Sequence, residues 1–286
     1  MRDKKNPRAY VVGWPVKYSR SPLLHNHWLE NYGLDGVYDR LAVPPEGFSR
    51  FVAAIGVDGL RGANVTIPHK EAAFAACGRV TEAAKAIGAV NTLWWENGEL
   101  CGDNTDAYGF IASLDAEAPG WRADTRTAVV LGAGGAARAM IYALLTAGVQ
   151  RIFLHNRTLE RAHHLQQEFG SSVEAKSWDA AEDALAHVDM LVNATSLGMR
   201  GEEQLSWDLR GLWSGAIVVD LVYVPLRTEL IQRALLRGLR AVTGLGMLLH
   251  QATPGFERWF GVRPEVTTEL REIIEADILG AEKPGA

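Results

Sequence analysis

The segment Val129-Val130-Leu131-Gly132-Ala133-Gly134-Gly135-Ala136-Ala137 restricts the fold of this chain more than any other. An apolar run of strand length enters it and an alanine-rich helical pattern leaves it, so the glycines fall at a strand-to-helix turn. In that setting GxGxxA has a physical reading. Gly132 permits the tight turn, Gly134 lets a pyrophosphate approach the backbone, and small Ala137 lets the helix lie close to the sheet. The helix start then offers unpaired N–H groups and the positive dipole end to phosphates, with Gly135 and Ala136 in its first turn. The other reading is a tightly packed turn that binds nothing. The correct framing by strand and helix favours a dinucleotide.

The surrounding pattern agrees. Strands at 127–131, 151–155, near 173, at 190–193 and at 216–221 alternate with helices at 134–147, 159–169 and 228–237, a doubly wound arrangement. A separate alternation precedes it. Strands at 9–14, 36–43 and 64–67 and helices at 22–32, 45–54 and from Lys70 onward predict a largely parallel sheet. A short helix at 81–87 follows, and Asn97-Gly98 between apolar runs at 89–95 and 100–102 predicts a hairpin. A helix at 108–117 leads to Pro119-Gly120-Trp121, read as a joint between domains. A helix over 244–260 should bend or break at Pro254. A last helix over 267–279 is expected to pack on the N-terminal half, and 280–286 to fray.

The 286 residues exceed one average domain. The expected organisation is α/β throughout, with a substrate domain over 1–108, a Rossmann-type cofactor domain over 109–239, and C-terminal helices over 240–286 returning to the first domain. Hydrophobic residues at 48% and charged residues at 22% exclude disorder and fibre. A formal net charge of -5 argues against general nucleic-acid affinity, so an anionic ligand must be held by local groups. The charged start, residues 1–7, leads only to a strand-length apolar run, which is no secretory signal, and no run reaches membrane-spanning length. Cys77 and Cys101 lack CxxC spacing and are read as reduced thiols. A cytoplasmic location follows.

Where the second strand of the cofactor half ends, an NAD enzyme would carry an acid for the ribose hydroxyls. Here the chain reads His155-Asn156-Arg157-Thr158, with Arg161 one turn on. A guanidinium at Arg157, helped by Asn156, Thr158 and Arg161, suits a 2′-phosphate and hence NADP. The competing reading is a helix-starting turn capped by Thr158 among surface arginines.

In the first half, Asn64-Val65-Thr66-Ile67-Pro68-His69-Lys70 passes a lysine from a half-buried strand to a helix start, with Pro68 at that start. There the helix dipole opposes protonation of Lys70 and favours acid/base use, although taken alone a lysine at such a place is more readily a solvated one. Ser19-Arg20-Ser21-Pro22 sets two hydroxyls on alternate residues before a helix, either to hold a carboxylate or as a turn and cap. Asn91 falls within an apolar strand, where its amide needs partners. Asp103-Asn104-Thr105-Asp106 precedes a helix, so one acid is open to a capping role.

Together these pieces resemble the shikimate dehydrogenase family. The resemblance rests on Gly13-Trp14-Pro15 with the Ser19 to Asn26 block, on the stretch ending at Lys70, and on Gly88-Ala89-Val90-Asn91-Thr92. It continues through Gly102-Asp103-Asn104-Thr105-Asp106, the glycine turn, Asn156-Arg157-Thr158, Asn193-Ala194-Thr195-Ser196 and Asp220-Leu221-Val222-Tyr223-Val224-Pro225. It closes with Gly244-Leu245-Gly246-Met247 followed by Gln251. The blocks keep the family's order over nearly the whole chain.

The resemblance implies that Lys70 and Asp106 form a catalytic pair. It implies that Ser19, Ser21 and Tyr223 bind the carboxylate of shikimate and that Thr66, Asn91 and Gln251 bind its ring hydroxyls. Gly132, Gly134, Gly135 and Ala136 would meet the pyrophosphate, and Asn156, Arg157, Thr158 and Arg161 the adenosine phosphate. Asn193, Ala194, Thr195 and Ser196, with Gly244 to Met247, would lie near the nicotinamide ribose and ring. Gln251 lies four residues after Met247 on the same helical face, so one helix can touch both ligands. Tyr18 stands where the family often has histidine, and Ala107 where it often has glycine; both bear on fine substrate preference.

The activity implied is reversible NADPH-dependent reduction of 3-dehydroshikimate to shikimate, a step of the shikimate pathway to chorismate and aromatic amino acids. Two rivals stand beside it: a quinate/shikimate dehydrogenase using NAD, and a non-catalytic sensor of shikimate-like ligands. No His, Cys and carboxylate cluster at metal spacing is present, so no metal is expected. Partners beyond the small substrate are not anticipated apart from a second copy in a homodimer. His25 is read as packing within its loop-helix block, His163 and His164 as helix surface, and the nine tryptophans as packing.

Overall fold

The computed structural model describes residues 6–282, arranged as two compact units. The first contains the chain up to Thr105 together with Gln251–Ile274; the second contains Asp106–His250 and the residues from Glu275 onward. The charged residues 1–5 and the end of the segment expected to fray, 283–286, lie outside the described residues.

In the first unit the order is β1 (Arg8–Gly13), α1 (Ser21–Asn31), β2 (Val37–Ala42), α2 (Phe48–Ala53), β3 (Leu60–Val65), α3 (Lys70–Ala76), β4 (Arg79–Val80), α4 (Glu82–Ile87), β5 (Thr92–Glu96) and β6 (Glu99–Asp103). The six strands lie in the order β2-β1-β3-β5-β6-β4. β2, β1 and β3 are parallel, but β5 runs antiparallel to both β3 and β6. Five of the six strands therefore run the same way, the largely parallel sheet that the alternation predicted, and β5 alone is reversed. The Asn97-Gly98 turn, with φ of 52° and 87°, imposes the antiparallel β5–β6 pair. β4 is only two residues long, too short for any periodicity to announce it.

One face of this sheet buries Val12, Val65, Ala63 and Leu93 against Phe48, Phe51, Ile55, Ala73 and Ala84. The other face packs Ala9, Val11, Tyr38 and Trp94 against Trp259. Trp259 donates its indole N–H to Leu93 O at 2.9 Å, and Trp28 donates to Glu265 O at 2.9 Å, so residues from the C-terminal part of the chain complete this core. Gly62 makes the approach of Trp259 feasible, since a Cβ there would sit 2.0 Å from Leu93 O and 2.2 Å from Trp259 Nε1. His25 is fully buried and stacked on Tyr38 at 3.8 Å between ring centroids. Burial pushes its imidazole down to about 3, which keeps it neutral, in line with a packing role.

The second unit begins with α5 (Asp106–Glu117) and α6 (Trp121–Asp124), then β7 (Thr127–Leu131), α7 (Gly135–Thr146), β8 (Arg151–Asn156), α8 (Leu159–Phe169), β9 (Val173–Ser177), α9 (Ala181–Ala184), β10 (Met190–Asn193), β11 (Ile217–Asp220), α10 (Glu229–Leu236) and β12 (Arg240–Thr243). Its sheet is parallel throughout, in the order β12-β11-β10-β7-β8-β9. This is the doubly wound order that the glycine turn required. α5 starts at Asp106 itself, two residues before the expected helix, and the two units divide there. Pro119-Gly120 lies within the second unit, where Gly120, at φ 84°, turns the chain into α6.

α11 (Gly244–Phe260) passes from one unit to the other, and α12 (Thr268–Glu282) follows it. α11 is assigned as one helix through Pro254, which was expected to bend or break it. An interior proline costs about 3 kcal/mol. Leu249, Phe256 and Trp259 are buried on the same helix, and each contributes roughly 1.5–3 kcal/mol, so packing prevails. α12 runs to Glu282, into the segment from Gly280 expected to fray.

Candidate functional site

One end of the central strands of the first sheet gathers most of the residues expected to meet substrate. β1 ends at Gly13 and β3 at Val65, paired in parallel, so the loop carrying Ser19 and the turn carrying Thr66 leave the sheet side by side. β5 runs the opposite way, with Thr92 opposite Asn64, which sets Asn91 immediately beside the exit of β3. Asn91 therefore stands just before its strand rather than within it. A Cβ on Gly13 would lie 2.5 Å from Thr66 Cγ2, so that glycine makes room for Thr66.

The polar groups here form a buried network. Asn91 Oδ1 accepts from Thr92 Oγ1 at 2.9 Å, from the Thr105 N–H at 2.9 Å and from Thr105 Oγ1 at 3.1 Å. Its main chain accepts the Val65 N–H at 2.7 Å and donates to Asp103 O at 2.9 Å. Asn64 donates to Thr92 Oγ1 at 3.2 Å and accepts the Tyr38 hydroxyl at 2.6 Å. Asn64 was read only as the polar partner in a strand alternation. Its place in the network arises from pairing across strands, which alternation does not encode.

Lys70 is half-buried and opens α3, and its carbonyl accepts the Val90 N–H at 3.0 Å. Pro68 lies ahead of the helix rather than in it, and His69 occupies the N-cap position. His69 is buried, with Nε2 2.7 Å from Val43 O and its ring stacked on Phe48 at 4.5 Å. It thus anchors the turn from which Lys70 projects. Ser19 is half-buried, and Ser21 is buried at the start of α1, their hydroxyls 3.2 Å apart. The Ser21 N–H donates to Ser19 Oγ at 3.3 Å. Gln251 lies in the first unit on α11, half-buried. Asp106 and Tyr223, both half-buried, belong to the second unit.

The second unit holds the residues expected to meet a cofactor at the carboxyl ends of its strands. Gly132 has φ 99°, and its N–H donates to His155 O at 2.8 Å, joining the glycine turn to the end of β8. A Cβ on Gly134 or Gly135 would meet no protein atom within 4 Å. Protein packing therefore does not require glycine at either position. The open space at the N-terminus of α7 fits the close approach of a phosphate. Asn156 donates to Thr158 O at 2.7 Å, shaping the turn in which Arg157, Thr158 and Arg161 are exposed. Among the described residues Arg157 and Arg161 form no ion pair, so both guanidinium groups are available to an anion. This donor set suits a phosphorylated dinucleotide.

Asn193 is fully buried, and its amide is used within the protein. It donates to Asp220 Oδ1 at 2.9 Å and to Leu197 O at 3.0 Å, and it accepts from Thr195 N at 3.1 Å and Thr195 Oγ1 at 2.6 Å. It shapes the Ala194-Thr195 loop. Asp220 also accepts from the Val222 N–H at 3.0 Å and the Thr228 hydroxyl at 2.5 Å, so one carboxylate ties that loop to the segment bearing Tyr223. Gly244 fits closely here, since a Cβ would lie 2.1 Å from Leu221 O. Met247 is half-buried one turn further along α11.

Burial pushes the Asp220 carboxyl from 3.8 up to about 6, against the opposing pull of its three neutral donors. The folded protein thus holds this proton more tightly than the unfolded chain. The group's contribution to stability rises as pH falls from about 6 toward 3.8, by roughly 3 kcal/mol at most. In Asp220→Asn the amide oxygen keeps the Asn193 and Val222 bonds while the amide nitrogen donates to Thr228. Thermal melts across pH 4–7 should show the variant gaining on the native protein as pH rises. A Tm difference independent of pH would contradict the assignment.

Comparison with known proteins agrees with both halves. Residues 11–93 match the model of the shikimate dehydrogenase substrate binding domain, residues 116–199 that of shikimate / quinate 5-dehydrogenase, and residues 244–268 that of the shikimate 5'-dehydrogenase C-terminal domain. The chain is 54% identical over 287 residues to shikimate dehydrogenase (NADP(+)) of Brucella abortus, covering 98% of this chain and 99% of the relative. It is 56% identical over 272 residues to the same enzyme of Mesorhizobium japonicum, covering 95% and 97%. Among solved structures, shikimate 5-dehydrogenase from Thermus thermophilus in complex with NADP(H) and shikimate superposes with a TM-score of 0.83 at 36% identity, covering 95% of this chain and 99% of that one. Quinate dehydrogenase from Corynebacterium glutamicum in complex with NAD gives 0.86 at 30% identity, covering 94% and 98%. With both domains matched, and relatives more than half identical over almost its full length, this chain belongs to the shikimate dehydrogenase family.

Proposed function

We propose that the chain is an NADP-dependent shikimate dehydrogenase that reduces 3-dehydroshikimate to shikimate reversibly, with Lys70 and Asp106 as its catalytic pair. The observation that carries this reading is the convergence of Thr66, Lys70 and Asn91, with the Ser19–Ser21 corner, at one end of the central strands of the first sheet. A polyhydroxylated acid needs such a set of donors and acceptors, because each buried polar group left unpaired costs roughly 1–3 kcal/mol. Ser19, Ser21 and Tyr223 take the carboxylate, and Thr66, Asn91 and Gln251 take the ring hydroxyls.

NADPH, when bound, supplies the hydride. Lys70 gives a proton to the ring oxygen during reduction and takes it back during oxidation. Asp106 orients the lysine amine and accepts a hydrogen bond from the reacting hydroxyl, which limits the geometry from which transfer occurs. Asp106 follows directly on Thr105, whose N–H and hydroxyl are fixed on Asn91 Oδ1. The open cradle at Gly134 and Gly135 holds the pyrophosphate, and Arg157 with Arg161 holds the 2′-phosphate.

The fold alone does not separate shikimate from quinate, since the neighbour named for quinate superposes as well as the one bound to shikimate. The nearly full-length relatives at 54% and 56% identity are both named for shikimate and NADP(+), which favours that pairing. We place the protein in the cytoplasm, in keeping with its two free thiols; among the described residues no helix is long and apolar enough to cross a membrane. A homodimer is part of the proposal, because β2 is an edge strand with an exposed Val37. Sedimentation equilibrium giving only the mass of one chain would remove it.

Steady-state rates with shikimate and quinate, each with NADP and NAD, should show shikimate with NADP as the preferred pair. Faster turnover of quinate with NAD would overturn the reading. In the same assay Arg157→Ala should raise the KM for NADP about tenfold and leave that for NAD nearly unchanged. Lys70→Ala should lower kcat by about 10²–10⁴-fold while shikimate still binds. Turnover near the native rate would exclude Lys70 as the proton donor.

A further inference from the structure

The geometry points to Arg40 as the residue that positions the Ser19–Ser21 carboxylate corner, an inference that rests on the substrate reading above. Arg40 lies on β2, opposite Val11 of β1, and its guanidinium reaches across to the loop that follows β1. Both Nε, at 2.8 Å, and Nη2 donate to the main-chain carbonyl of Ser19. One planar fork thus closes on one carbonyl and sets the direction of the Ser19–Arg20 peptide.

Tyr38 precedes Arg40 by two residues, and side chains at that spacing share one face of a strand. Tyr38 exchanges main-chain bonds with Asn26, its N–H donating to Oδ1 at 3.2 Å and its carbonyl accepting from Nδ2 at 2.9 Å. Its ring stacks on His25 at 3.8 Å. β2 therefore holds the body of α1 at Asn26 through Tyr38 and, two residues ahead of α1, Ser19 through Arg40. Ser21 lies between these two anchorages, its hydroxyl 3.2 Å from that of Ser19. That separation lets a single carboxylate meet both.

The serines are neutral, and the chain as a whole is acidic, with a formal net charge of -5. A fixed cation one peptide group away supplies local positive potential to a ligand that the whole molecule's field does not attract. Asp39 does not draw the guanidinium aside, because its Oδ1 accepts the Arg40 main-chain N–H at 2.7 Å and adjacent strand residues face opposite ways. Arg40 is exposed, and exposed polar contacts add little to global stability, so its loss should appear in binding rather than in folding.

The test compares Arg40→Ala, Arg40→Lys, Ser19→Ala and the native enzyme by steady-state kinetics, thermal melting and calorimetric titration with shikimate in the absence of cofactor. Arg40→Ala should raise both the KM and the Kd for shikimate about tenfold, with kcat, the KM for NADP and the Tm little changed. Arg40→Lys should recover part of that loss by restoring one donor and the charge. If Ser19→Ala weakens shikimate binding and Arg40→Ala does not, the inference on Arg40 fails while the carboxylate reading stands. If Ser19→Ala has no effect, the carboxylate reading fails and takes the inference with it. A parallel fall of Tm and of affinity for both ligands in Arg40→Ala would assign the residue to folding and overturn its positioning role.

Discussion

The carboxamide of Asn91 holds the ends of three strands at one point. Its side-chain oxygen takes up Thr92 and Thr105, while its backbone joins Val65 at the end of β3 and Asp103 at the end of β6. Because Asn91 is buried, each of these groups would cost roughly 1–3 kcal/mol if left without a partner, so the arrangement is strongly favoured as a unit. The chain leaves it toward Thr66 and Lys70 in one direction and toward Asp106 in the other. Residues far apart in sequence are thereby presented from backbone that has little freedom. Tyr38 and Asn64 extend the same network to the first strands, and a separate contact from Arg40 holds the serine corner.

The second unit solves the same problem with different chemistry. There a carboxylate, Asp220, is surrounded by the donors of Asn193, Val222 and Thr228, and all of them are neutral. It ties the strand ends that release the Thr195 and Tyr223 segments. Burial without a cation raises its proton affinity, whereas the amide at Asn91 does not titrate. The open space at the glycine turn depends on a different quantity, the absence of side-chain atoms at Gly134 and Gly135.

Helices and strands with a strong apolar period were readable without coordinates, as α8, α11 and β10 illustrate with bounds that coincide. A period with too few residues to show hid β4, and at Pro254 packing overrides the local rule far enough that α11 is not broken there. The reversal of β5 against β6 was legible, because Asn97-Gly98 predicts a hairpin, but its antiparallel pairing with β3 was not, since a strand's periodicity is the same whichever way it pairs. Most of the candidate site residues were legible because they lie in short motifs. Arg40 and Asn64 were missed as site-forming groups because their partners lie 21 and 26 or more residues away along the chain.

By itself the sequence indicated the two α/β halves, the glycine turn, and the family to which the chain belongs. Those features are local: a turn's glycines, a missing acid at a strand end, and ordered motifs each act over a few residues. Only the tertiary structure decided that Asn91 faces the exit of β3, that a single carboxylate joins the Thr195 and Tyr223 segments, and that Arg40 holds Ser19. These depend on strand order, direction and register, which follow from burying both sheet faces at once, a condition that no single segment carries.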